Sequence, residues 1–201
     1  MEWKALCLEN GPSAREGHSL TCIYDQVYLF GGYDGTWVRN DMYTLCNILS
    51  ASPVWHILSL SGPSPCPRSG HTATYLPYCH SILIFGGFNG DKNTYFNDVH
   101  LLDIDAKCWK NIICTGDTVH KREAHTALLV HDHYLIVHGG YGRTQLGDCH
   151  VLNCKTWEWK TKEDGEIKAT LKRSKHGYVV SPTDDASIWI FGGDSGGTIF
   201  F

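Results

Sequence analysis

Short apolar runs, each broken by glycine-rich or polar turns, follow one another along the whole chain. The pattern is clearest between residues 71 and 114. "HTATYL" and "SILIFGG" flank a turn around Pro77-Tyr78, "NDVHLLDI" alternates apolar and polar residues, and "KCWKNII" follows with Trp109. Alternation of period two over such short runs, bounded by turn residues, predicts four β-strands. No segment carries a helical period long enough to compete.

The same four-strand pattern repeats. Arg-x-x-His occurs at Arg15, Arg68, Arg122 and Arg173, at intervals of 53, 54 and 51 residues. Gly-Gly follows at Gly31, Gly86, Gly139 and Gly192, then Asn-Asp or Gly-Asp at Asn40, Asn97 and Gly147, and a closing tryptophan at Trp55, Trp109 and Trp159. Trp3 belongs to the same series, because tryptophan-to-arginine distances are 12, 13, 13 and 14 residues at the four junctions. Landmarks in one order at one period mark a structural repeat. Glycine pairs at a strand end permit positive φ and close backbone approach where sheets crowd together. The tryptophan rings fill seams between sheets.

These residues resemble the kelch family. The matching features are Arg-x-Gly-His at Arg15 and Arg68, aromatic-Gly-Gly at Phe30, Phe85 and Phe191, Asn-Asp at Asn40 and Asn97, and the spaced tryptophans. In motif style "GPSPCPRSGHTATY" resembles most the subgroup of the Rab9 effector and host cell factor type. The resemblance covers nearly the whole chain and implies an all-β fold, a kelch-type β-propeller with four antiparallel strands per blade. The expected units are 1–14 as an outer strand, 15–67, 68–121 and 122–172 as three blades, and 173–201 as two strands of a fourth. The third unit departs from the pattern, with His138 before Gly-Gly and Gly147 in place of Asn, so weaker local packing is expected there. A closed ring of six or seven blades needs roughly 320–370 residues at this period, so the expected object is a partial propeller, a fragment or an open arc. Its free sheet edges and apolar blade faces invite self-association.

Composition narrows the function classes. With 17 basic and 21 acidic residues the formal charge is −4, which argues against nonspecific nucleic-acid binding. No apolar run approaches the roughly 18 residues of a membrane span. Nine cysteines, an odd count without Cys-x-x-Cys, fit free thiols in a reducing compartment, so a cytoplasmic or nuclear location is expected.

Chemistry-bearing motifs dissolve into the repeat. Gly193-Asp194-Ser195-Gly196-Gly197 resembles the nucleophile loop of chymotrypsin-like proteases, but Gly192-Gly193 is the fourth blade landmark and the rest is its loop. A catalytic serine needs a His and an Asp held around it, plus later strands for a specificity pocket, and six residues follow Ser195. The histidines His18, His71, His125 and His176 recur once per unit and are expected to hydrogen-bond backbone between blades. His131 and His133 flank Asp132 at a hairpin tip, too few for a metal site. No catalytic residue, metal or cofactor is therefore expected. Enzymes built on kelch-like propellers exist, but copper chemistry of that kind needs a converging Tyr/His set.

One end of the propeller remains as a binding surface. The connection after the second strand of each unit carries Tyr33, Asp34, Trp37 and Arg39, then Phe88, Asn89, Asp91, Lys92 and Tyr95, then Tyr141 and Arg143. The inter-blade connections bring Arg15, Arg68, Arg122 and Arg173 to the same end. Aromatics with arginines on rigidly held loops have the composition of a protein-binding hot spot. The resemblance implies a noncatalytic scaffold or adaptor whose partner is a protein or an acidic peptide segment, or alternatively a cytoskeletal or vesicle-trafficking scaffold. Free guanidinium groups would favour carboxylates bound through two hydrogen bonds. The competing reading pairs each arginine with a nearby aspartate such as Asp41 or Asp98, pinning its loop.

Overall fold

The computed structural model describes residues 8–50, 52–162, 172–181 and 187–195. Trp3, the expected outer strand at the start, and Gly196-Gly197 lie outside them. The described residues form antiparallel four-stranded sheets arranged blade beside blade. Blade 1 holds β1 (Ser19–Ile23), β2 (Gln26–Tyr33), β3 (Val38–Cys46) and β4 (Val54–Ile57), paired in chain order. Blade 2 holds β5 (Thr72–Leu76) and β6 (Ser81–Phe85), a two-residue hairpin of β7 (Phe88–Asn89) and β8 (Thr94–Tyr95), then β9 (Val99–Asp103) and β10 (Cys108–Ile112). The short β11 (Thr115–Gly116) leaves blade 2 and pairs parallel with the outer strand of blade 3. Blade 3 comprises β12 (Thr126–Val130), β13 (Tyr134–Tyr141), β14 (Gln145–Asn153) and β15 (Glu158–Thr161). The strands β16 (Gly177–Val180) and β17 (Ile188–Phe191) pair in the fourth unit. This is an all-β kelch-type arrangement, a partial propeller.

The strand period explains the core. In β6 all five residues are buried, because both faces of the sheet meet a neighbouring blade. Successive side chains point to opposite faces. Ile82 and Ile84 therefore join Phe30, Met42, Leu102 and Trp109 in the seam with blade 1. Leu83 and Phe85 join Leu101, Leu135, Val137 and Trp159 in the seam with blade 3. Trp109 lies 5.4 Å from Phe30, and Trp159 lies 5.1 Å from Phe85, so these two tryptophans fill the seams with the preceding blades, whereas Trp55 stands edge-on to Tyr43 of its own blade. Phe191, the equivalent position in the fourth unit, is 63% exposed.

Glycine pairs are required by backbone proximity. Gly86 has φ +65°, and a Cβ there would lie 2.7 Å from the Arg122 carbonyl oxygen and 2.9 Å from His125 Cε1. That space is used by a seam hydrogen bond, Gly87 N–H to Arg122 O at 2.7 Å. Equivalent bonds join Gly32 to Arg68 O at 2.9 Å and Gly140 to Arg173 O at 2.8 Å. A second series links blades through the third position of each Arg-x-x-His. Gly70 donates to Gly17 O, Ala124 to Gly70 O and Lys175 to Ala124 O, at 2.7–2.8 Å. All four residues have positive φ, from +52° to +63°, which glycine accepts freely and Ala124 and Lys175 adopt against preference.

Candidate functional site

The strand ends that should carry a binding face do converge. In every unit, the residue after Arg pairs with the residue after Gly-Gly: Glu16 with Tyr33, Ser69 with Phe88, Glu123 with Tyr141 and Ser174 with Asp194. The inter-blade connections and the hairpin tips therefore share one end of the sheets. Asp194 occupies the place of Tyr33, Phe88 and Tyr141, so "FGGDS" is blade architecture in three dimensions as well. His176, the histidine of that unit, is engaged with Thr126 Oγ1 at 2.9 Å and His138 Nδ1 at 3.2 Å.

Within this convergence the repeat arginines are withdrawn from the surface. Arg68 and Arg122 are both fully buried. Arg68 donates to Asp98 through both terminal nitrogens at 2.7 and 2.9 Å, to Gly86 O at 2.9 Å and through Nε to Cys66 O at 3.0 Å. Its guanidinium also lies over the Phe96 ring, 4.2 Å from the centroid. Arg122 repeats the arrangement with Asp148 at 2.7 and 2.8 Å, Gly139 O at 2.9 Å and His120 O at 3.0 Å. Arg15 does so with Asp41 at 2.6 and 3.2 Å and with Gly31 O at 3.0 Å. Arg173 donates to Gly192 O at 3.2 Å and is 8% exposed. The expectation of a guanidinium ring open to partner carboxylates is thus corrected. The donors of Arg15, Arg68 and Arg122 are spent on the chain's own aspartate and on the first carbonyl of the Gly-Gly pair. Burial pushes the Asp98 and Asp148 carboxyls up, but hydrogen bonds from Arg68 and His100, and from His150 and Arg122, outweigh it and hold both well below the ordinary carboxylate range.

The histidines likewise belong to the framework, with a different partner from the backbone expected. His71 Nε2 shares a hydrogen bond with Ser19 Oγ at 2.8 Å, His125 with Thr72 Oγ1 at 2.9 Å and His176 with Thr126 Oγ1 at 2.9 Å. Each bond crosses a seam to the hydroxyl residue that follows the preceding blade's histidine. The rings of His71 and His125 also stand edge-on to Phe30 and Phe85, at 5.3 and 5.2 Å. In blade 3 His138 takes the aromatic place, 5.1 Å from His176. Burial, reinforced by the Arg68 and His18 charges, pushes His71 down to about 3. His176 is pushed down to about 4 by burial and by His138 and Arg173, and burial puts His125 well below its ordinary value.

The remaining candidates divide by what they touch. Asp34 accepts from Thr36 N, Trp37 N and Arg39 Nε at 3.0, 2.8 and 2.6 Å, so Asp34 and Arg39 organise the first hairpin tip. Those bonds hold the Asp34 carboxyl at about 2. Asn89 is buried, donating to Pro67 O at 2.8 Å and accepting from Lys92 N at 3.0 Å. Asp91 accepts from Val38 N at 3.4 Å, tying the second tip to blade 1. Trp37 is 58% exposed, and Lys92 and Arg143 are also exposed. Tyr33 is half-buried and donates its hydroxyl to Gly35 O at 2.8 Å. Phe88 and Tyr95 stack at 4.4 Å, and Tyr95 lies 6.0 Å from Tyr141 across the seam. A groove of about 550 Å³ opens there between blades 2 and 3, lined by Tyr95 and Arg143 and also by His120, Lys121, Thr94 and Leu146. Sequence reasoning missed His120 and Lys121, although their place directly before Arg122 in an inter-blade connection was a usable signal.

The comparison that decides the family is direct. Residues 1–193 match the KLHDC2/KLHL20/DRC7 Kelch-repeats domain. The chain belongs to the kelch-repeat family. This kelch chain is 35% identical over 146 residues to Kelch domain-containing protein 3 of Bos taurus, covering 71% of the chain and 36% of the relative. It is 29% identical over 190 residues to Acyl-CoA-binding domain-containing protein 4 of Arabidopsis thaliana, covering 92% of the chain and 27% of the relative. It is 26% identical over 213 residues to Kelch domain-containing protein 2 of Bos taurus, covering 95% of the chain and 52% of the relative. The kelch chain thus spans from about a quarter to about half the length of these relatives. Kelch domains are generally protein-interaction modules. Among the described residues no helix is long and apolar enough to cross a membrane.

Proposed function

We propose that this kelch chain is a noncatalytic interaction scaffold, working in the cytoplasm or nucleus, that engages a protein partner through its loop face. The observation that supports this reading is a division of labour at one end of the sheets. Arginines and aspartates of the repeat are consumed within their own blades and the histidines in seams, whereas Trp37, Tyr95, Tyr141, Lys92 and Arg143 stand at the rim. Large rings on a backbone pinned by bidentate ion pairs lose little freedom on binding, which is what a hot spot requires. The titratable groups of the seams are held to one charge state and to internal partners, so they serve packing, not turnover.

Affinity capture tests the reading with the intact chain against Trp37→Ser and Tyr95→Ser variants. Specific partners should be lost from the variants while their melting temperatures stay within about 2 °C of the parent. An identical captured set for all three proteins would sink the assignment of this face.

A further inference from the structure

The outer edges of the blades are not treated alike. The outer strands of blades 2 and 3, β10 and β15, are each capped by a parallel segment of the connection that precedes their blade. Ser61 pairs parallel with Cys108, accepting from Trp109 N–H at 2.9 Å and donating to Lys107 O at 3.0 Å. On β15 the cap is β11, where Thr115 donates to Trp157 O at 2.9 Å and Asp117 to Trp159 O at 3.0 Å. Both caps read apolar, hydroxyl, glycine: Leu60-Ser61-Gly62 and Cys114-Thr115-Gly116. Leu60 and Cys114 pack against the two seam clusters. Gly62 and Gly116 have φ +79° and +83°, and a Cβ on either would lie 2.2 Å from the Trp109 or Trp159 carbonyl oxygen. Only glycine fits there.

Among the described residues blade 1 has no such cap, and β4 pairs with β3 alone. The sequence gives the physical reason. Asn10-Gly11-Pro12-Ser13 stands where Ser61-Gly62-Pro63-Ser64 stands in the next unit, yet Arg15 follows Gly11 by four positions, whereas Arg68 and Arg122 follow Gly62 and Gly116 by six. The shorter connection passes beside the Trp55 ring: a Cβ on Gly11 would lie 2.9 Å from Trp55 Cδ1, and Gly11 is not among the glycines with positive φ. Glu9 also replaces the apolar residue that anchors each cap. The Trp55 N–H and the Pro53 and Trp55 carbonyls correspond to the groups that hold the caps on blades 2 and 3. Among the described residues they have no hydrogen-bond partner. Val54 and His56 beside them are exposed, and Ile57 is 64% exposed.

An uncovered edge of this kind is a template for one more strand. The two caps define what fits it. We infer that the outer edge of blade 1 binds an extended segment of a partner protein by strand addition, parallel to β4, through a core of apolar residue, Ser or Thr, and glycine. Main-chain bonds to Trp55 and Pro53 supply the affinity, and the glycine supplies selectivity, because a side chain at that position meets the Trp55 carbonyl. This edge is separate from the loop face and does not depend on the reading of that face.

Nuclear magnetic resonance of the intact, isotope-labelled chain tests it, with end-blocked Ser-Leu-Ser-Gly-Pro-Ser, the sequence of residues 59–64, as the probe. Without peptide, the Trp55 amide should exchange with solvent about tenfold or more faster than the Trp109 amide, which is bonded to Ser61 O. Added peptide should shift the Trp55 and Ile57 amide signals saturably and slow Trp55 exchange. Alanine in place of the peptide's glycine should weaken binding about tenfold or more. In a second chain, residues 9–14 are replaced by the sequence of residues 60–67, which lengthens the connection to that of blade 2. This chain should cap its own edge, with slow Trp55 exchange, no peptide binding and a melting temperature held or raised. Four results would overturn the proposal: no binding by the parent chain, equal affinity for the alanine peptide, undiminished binding by the grafted chain, or a Trp55 amide as protected as that of Trp109 in the free parent. In the last case, protection that fades on dilution makes a second copy the occupant, and protection independent of concentration makes it a segment of the same chain.

Discussion

Acidification from pH 7.5 to 5.5 should destabilise this protein by about 4 kcal/mol, through the histidines of its seams. In the folded chain His71 is held at about 3 and His176 at about 4, and His125 well below its ordinary value. Released into water each returns to about 6.5. A group whose folded pKa is depressed contributes stability above the unfolded pKa and loses it as pH falls toward the folded one. At pH 5.5 each unfolded histidine gains about 1.4 kcal/mol from proton uptake, against less than about 0.1 kcal/mol at pH 7.5, while the folded ones stay neutral. Three such residues give the total, and His138, lowered by burial in the same seam, adds in the same direction. The groups facing them cannot reverse it: Arg68 and His18 beside His71, Arg122, His71 and His176 beside His125, and His138 and Arg173 beside His176 all oppose protonation. Glu123, raised by burial, acts with the opposite sign but is a single group. Asp98 and Asp148 remain ionised throughout this window. Urea denaturation at the two pH values measures the difference. A His125→Gln variant should lose about a third of it. Stability that is flat or rising on acidification would refute the picture of buried neutral histidines bridging the blades.

Three further outcomes are expected. Trp109→Ala should cost about 3–5 kcal/mol by emptying the seam against Phe30, and a near-neutral result in denaturant titration would contradict its burial. Gly86→Ala should cost about 2–4 kcal/mol, combining a left-handed backbone with a Cβ 2.7 Å from the Arg122 carbonyl oxygen; retention of the parental midpoint would show that the seam yields. Ser195 should remain unlabelled by a serine-reactive phosphonate, as mass spectrometry of the treated chain can check, because His176 is committed to Thr126 and His138.

Much of the fold was legible because the repeat writes one geometry several times. Gly-Gly, tryptophan and the alternating strands each report a local demand, namely positive φ, seam volume and two-sided burial, so a single sequence displays them. The arginines were ambiguous for a physical reason. Whether a guanidinium meets solvent or an aspartate 26–30 residues away depends on which strand ends share one end of the sheet, and no local pattern carries that. The histidine partners were visible yet unread: Ser19, Thr72 and Thr126 directly follow His18, His71 and His125. The bond, however, crosses to the next blade, so the signal pairs with a residue about 50 positions away. The groove was the hardest part to foresee. It arises from Gly142 seating a hairpin tip on the Lys121 carbonyl, a contact between two segments that look like ordinary loops in isolation.

The central claim is that repeat arginines build the frame and rim residues do the binding. Measuring melting temperature and partner capture together for Arg68→Ala and Trp37→Ser tests it most directly. Arg68→Ala leaves Asp98 to His100 alone and removes the bonds to Gly86 and Cys66 carbonyls, so it should cost about 3–5 kcal/mol and lower the melting temperature by many degrees. Trp37→Ser should leave the melting temperature nearly unchanged and lose the specifically captured partners. A stable Arg68→Ala protein that has lost its captured partners, beside a Trp37→Ser protein that keeps them, would contradict the account.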